Sequence, residues 1–151
     1  MMHRNLWLAL SLSLAACNYN ETLLHSYKSL PSEGWYRRDT ICFDLPKAEE
    51  NINGTLIIGL RTTSHIGIKE VVLAVEQCNE AGEVSRCDTI HYPLTDAEGK
   101  GLGEGVNILQ YETKPLSFRL QKSKQGHVRI HHLMTQETLT GITEIGIKIK
   151  K

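Results

Sequence analysis

Long apolar runs are nearly absent from this 151-residue chain. The one stretch of note, Leu6 to Ala15, is about half of the roughly 20 residues that a bilayer-spanning helix needs. Excess charge is absent too. The 17 Lys and Arg balance 17 Asp and Glu, which argues against a nucleic-acid binder working through a broad basic field and against a charged disordered tail. Cysteine is scarce at four residues, and Cys42, Cys78 and Cys87 show no C-x2-C spacing, so no metal site and no cofactor are expected. The glycine-rich segment Gly99 to Gly105 lacks the G-x-x-x-x-G-K-[ST] phosphate-loop pattern. Neither a G-x-S-x-G elbow nor an H-E-x-x-H helix occurs, so no catalytic residue is assigned and the chain is read as a non-enzyme.

What is there begins with an address. His3 and Arg4 precede the run LWLALSLSLA, followed by small residues, in the order of a secretory signal peptide. The run closes on Leu14-Ala15-Ala16-Cys17, which looks like a bacterial lipobox. Residues 1–16 are then a lipoprotein signal peptide, Cys17 is the lipid attachment site, residues 17–30 are lipidated terminus and tether, and residues 31–151 are a single domain. Two or three acyl chains, at about 0.8 kcal/mol per buried methylene, hold a protein to a bilayer for practical purposes permanently. Asn18 is not the aspartate associated with inner-membrane retention, and no acidic cluster follows Cys17. The expected location is therefore the periplasmic leaflet of the outer membrane.

Beyond the tether the pattern is β. Short alternating or β-branched runs recur between Gly, Pro, Asn and Asp, predicting strands near 39–45, 55–62, 69–78, 84–92, 106–111, 115–121, 127–133 and 143–149. Ile41, Phe43 and Leu45 form one inward set, Leu116, Phe118 and Leu120 another, and Ile145, Ile147 and Ile149 a third. The fold class is all-β, an antiparallel two-sheet sandwich of about eight strands, jelly-roll-like.

A two-residue turn at Gly82 and Glu83 would place Cys78 opposite Cys87, Val75 opposite Ile90 and Leu73 opposite Tyr92. The two cysteines would fall at a non-hydrogen-bonded pair, close enough for a disulfide in an exported protein. Cys42 is read as a small buried hydrophobe. His127, Arg129 and His131 share one face of a strand and His132 the other; this is read as a solvated face, with no carboxylate partner evident. Asp39-Thr40-Ile41 and Asp88-Thr89-Ile90 both match a D-[ST]-apolar O-glycosylation pattern, with Thr40 and Thr89 outward.

The segments Ser29 to Tyr36, Asp39 to Asp44, Ile58 to Arg61, Asp88 to Leu94, Asp96 to Lys100 and Leu139 to Lys148, with the lipobox, resemble the GldH family of gliding-motility-associated lipoproteins of Bacteroidetes. The resemblance implies a non-enzymatic envelope lipoprotein that supports gliding or the associated type IX secretion machinery as an accessory or scaffold. Its partners would be the bilayer, through Cys17, and other envelope proteins; no nucleic acid and no small-molecule substrate are implied. The competing reading is a lipid-anchored glycan-binding jelly roll. It needs exposed rings, and Trp35 is the only tryptophan beyond Cys17, so Trp35 is expected to close the core instead.

Overall fold

The computed structural model describes residues 21–151, so Cys17 and the lipobox lie outside the described residues. The described chain is all-β. Its strands are β1 (Thr22–Ser29), β2 (Trp35–Tyr36), β3 (Ile41–Leu45), β4 (Ile52–Thr63), β5 (Glu70–Asn79), β6 (Val84–Pro93), β7 (Ile108–Glu112), β8 (Leu116–Leu120), β9 (Gly126–His132), β10 (Thr138–Leu139) and β11 (Ile142–Lys150).

Two antiparallel sheets face each other. One runs β1-β11-β4, and the length of β4 lets β8 pair with Ile52 to Leu56 and β7 with Gly59 to Thr63. The other runs β3-β9-β5-β6. A small β10-β2 pair closes one side and holds Trp35 opposite Leu139.

Alternation decides what faces inward. Leu56, Ile58 and Leu60 of β4 join Ile145, Ile147 and Ile149 of β11 on one inner face, and Phe43, Leu73, Val75, Val128 and Ile130 line the other. All of these are nearly or fully buried. The inward sets anticipated on β3, β8 and β11 take these positions, with Ile41, Leu116 and Leu120 only half-buried. Trp35 is fully buried, its Nε1 donating to the Asp39 carbonyl at 3.0 Å and its ring meeting His132 edge-on.

Two expectations are corrected. Residues 22–29, assigned to the tether, instead form β1, an edge strand paired with β11. Adjacent Leu23 and Leu24 break the alternation that marks a strand, and an irregularity in pairing between Thr22 and Leu24 accommodates them. The β5–β6 hairpin is also set differently. Asn79 closes a wider loop, accepting from the Glu83 amide through Oδ1 while its own amide donates to the Glu83 carbonyl. That loop sets Cys78 opposite Val84, and a bulge between Gln77 and Cys78 adds a one-residue shift that leaves Cys87 opposite Glu76. Leu73 then faces Ile90, and Val71 faces Tyr92. The offset is two residues, an even number, so the division into apolar and polar faces survives while the facing cysteines do not.

Candidate functional site

The outer face of the β3-β9-β5-β6 sheet carries the chemistry. Register places Cys42, Arg129, Glu76 and Cys87 in one row across its four strands, with Asp44, His127 and Cys78 in the next. Three cysteines therefore share one face, and all three are free thiols. Cys87 is exposed, Cys42 half-buried and Cys78 buried. The anticipated facing of Cys78 and Cys87 is not met, because the wider loop closed by Asn79 and Glu83 sets the register two residues away from it.

His127 has the carboxylate partner that the sequence did not reveal. Its Nδ1 lies 3.0 Å from Asp44 Oδ1. Arg129 is similarly committed, with Nε and Nη2 both 2.9 Å from Glu76 Oε2. Burial pushes the Cys78 thiol upward in pKa, and the neighbouring Arg129 guanidinium opposes that shift. One ligand atom from each of Cys42 (Sγ), His127 (a ring nitrogen) and Asp44 (a carboxylate oxygen) lies within 4.8 Å of the others. The Cys42-x-Asp44 alternation was visible in the sequence. His127 joins it through a strand pairing 83 residues away in the chain, which no local pattern reports.

Beside this cluster, a cleft of about 960 Å³ opens at one end of the sandwich between the β5–β6 hairpin and β8. Cys78, Arg86, Arg119, Lys124 and His127 are among its lining residues. His131 points outward from the same strand, as expected, whereas His132 turns into the core and is 1% exposed. Its Nε2 is 3.2 Å from the Trp35 carbonyl, and Nδ1 has no partner. Desolvation holds its pKa below the ordinary 6.5.

Thr40 and Thr89 are both exposed, one just before β3 and one on β6. The rings that a sugar platform would need are engaged elsewhere. Trp35 and Tyr111 are buried, Tyr92 packs edge-on against Tyr111, and its hydroxyl donates to the Glu112 carbonyl at 2.7 Å.

On the opposite sheet, Tyr27 of β1 crosses the outer face over Gly146 of β11 and Gly59 of β4, its two successive neighbours in register. The Arg61 guanidinium sits 4.1 Å from the ring centroid and pairs with Glu144 at 2.6 Å. Strand β1 is thus clamped by a side chain as well as by its ladder.

A model of the GldH lipoprotein family matches residues 22–149. The chain belongs to the GldH lipoprotein family. The matched span opens at the first residue of β1, so the GldH domain includes the strand that the sequence left in the tether. No curated protein matches the chain. Among solved structures, the chain is similar to the exo-beta-1,3-galactanase Pc1,3Gal43A from Phanerochaete chrysosporium, described with galactose. The identity is 11% and the TM-score 0.40, over 82% of this chain and 27% of that one. This chain spans about a quarter of that enzyme, and a likeness so slight says nothing about activity. GldH membership makes the chain a gliding-motility-associated, envelope-anchored lipoprotein, and among its described residues no helix is long and apolar enough to cross a membrane.

Proposed function

We propose that this lipoprotein, acylated at Cys17, is a non-enzymatic accessory or scaffold component supporting gliding motility, the associated type IX secretion machinery, or both. The periplasmic leaflet of the outer membrane is its proposed site. The observation that carries this reading is where β1 begins. Thr22 lies five residues after Cys17, and five extended residues reach no more than about 18 Å. The sandwich is therefore held close to the bilayer.

One end of the domain faces the lipid as a consequence. Thr22 pairs with Lys150, which pairs with Thr55; the same end holds the 46–51 and 121–125 loops and the β5–β6 hairpin. Among the described residues the ten-residue strand β6 is an edge of its sheet, and an unpaired edge is suited to a partner that adds a strand. Exposed Thr40 and Thr89 are proposed O-glycosylation sites flanking the same sheet. The glycan-binding alternative loses its main support with Trp35 buried.

Crosslinking in intact envelopes, read by mass spectrometry, tests the scaffold. Crosslinks to a motility or secretion protein are expected with the wild type. They should be lost on Cys17→Ala, and also when a flexible insert after Glu21 lengthens the link while acylation persists. A Cys17→Ala protein recovered in the soluble periplasm and still supporting motility or secretion would overturn the reading.

A further inference from the structure

We infer that Cys42, Asp44 and His127 form a binding site for a borderline-soft divalent metal ion of the Zn²⁺ class on the outer face of the β3-β9-β5-β6 sheet. Cys42 and Asp44 alternate on β3, so both side chains project from the same face, and register sets Asp44 directly beside His127 of β9. Zinc lies about 2.3 Å from a thiolate sulfur and about 2.0–2.2 Å from imidazole nitrogen or carboxylate oxygen, so bound ligand atoms sit roughly 3.3–3.7 Å apart. The present spread is within 4.8 Å. Two of the donors, on His127 and Asp44, are already 3.0 Å apart, so about an ångström of side-chain adjustment separates the cluster from that spacing.

The donor set selects the ion. One thiolate, one imidazole and one carboxylate suit Zn²⁺, whereas Ca²⁺ and Mg²⁺ require mostly oxygen donors. Three protein ligands leave a fourth position for water, and His127 lines the neighbouring cleft, so that position is open to solvent. The guanidinium of Arg129, opposite Cys42 in register, is already paired with Glu76. The backbone is tied down as well, since Lys28 of β1 donates to the Cys42 carbonyl at 2.6 Å across the sheet edges. Binding would exchange the Cys42 thiol proton for the metal and replace the His127–Asp44 hydrogen bond with two coordination bonds; no electron transfer is involved. In an oxidising compartment, the metal would also shield a thiol otherwise open to oxidation.

The test uses the full acylated protein in detergent micelles without a histidine tag, stripped with chelator and titrated with CoCl₂ and ZnCl₂. One Co²⁺ per chain is expected, with a thiolate-to-cobalt charge-transfer band that Zn²⁺ abolishes. Zn²⁺ should also raise the melting temperature and slow alkylation of Cys42. Cys42→Ser should remove the band. Asp44→Asn and His127→Ala should weaken binding by more than the roughly 10- to 100-fold that loss of an outer-shell partner costs. Cys87→Ser should change nothing. The Asp44 side chain is 85% exposed, so Asp44→Asn leaves the fold intact and keeps the test decisive. A wild-type protein without the band, a band surviving Cys42→Ser, or unchanged affinity in Asp44→Asn would overturn the site.

Discussion

Tyr27 and Gly146 face each other across the β1–β11 ladder, and the tyrosine ring occupies the space that a side chain at 146 would fill. A Cβ built at Gly146 would lie 2.6 Å from two ring carbons. Gly59, next in the row, meets the far end of the same ring. Two glycines in strand interiors cost stability by themselves, so their position under Tyr27 gives them a packing reason. They form the floor that lets β1 lie flat against the sheet.

Gly146→Ala should therefore destabilise the domain by about 1–3 kcal/mol, the usual range for overpacking, through expulsion of the Tyr27 ring. In a Tyr27→Ala background the same substitution should cost much less. A double-mutant cycle from urea unfolding measures this coupling; equal costs in both backgrounds would show that the ring is not what the glycines accommodate.

Acid should weaken the fold through His132. Its folded-state pKa is depressed by burial, so the unfolded chain binds the proton more readily than the native one. The stability due to neutral His132 is complete above the ordinary value of 6.5 and is lost as pH falls below it toward the folded value. Protonation would add an N–H at Nδ1, a buried atom with no partner. His132→Phe should flatten this acid limb in urea midpoints measured across the range.

Trp35 supplies a direct optical readout, being the single tryptophan after Cys17. With the ring fully buried, native emission should be blue-shifted and resistant to aqueous quenchers. Trp35→Ala should cost about 3–5 kcal/mol, the range for emptying a large core site. Ready quenching by iodide in the native protein would contradict the burial.

Thiol labelling distinguishes the two hairpin registers. Under native conditions Cys87 should react first, Cys42 more slowly and Cys78 only on unfolding, in the order of their exposure. A Cys78–Cys87 disulfide in the exported protein, seen as a non-reduced linked peptide, would restore the two-residue turn.

Strand periodicity made eight of the strands readable, since Ile41/Phe43/Leu45 and Ile145/Ile147/Ile149 alternate regardless of what they pack against. Strand β1 was hidden because its paired leucines suit an irregular edge. Thr40 and Thr89 were correctly placed outward from parity alone. The histidine segment was half legible: alternation separated His132 from His127 and His131, but nothing local indicated that Asp44 would stand beside His127.

The sequence by itself determined the things that act over a few residues: alternating strands, and which side of each strand is apolar. The tertiary structure alone decided the rest: the wider Asn79 loop that parts Cys78 from Cys87, the glycine floor beneath Tyr27, and the meeting of Cys42, Asp44 and His127. Alternation fixes the face of a side chain through backbone geometry. Its neighbour on that face depends on strand order and register, which are set by packing between segments far apart in the chain.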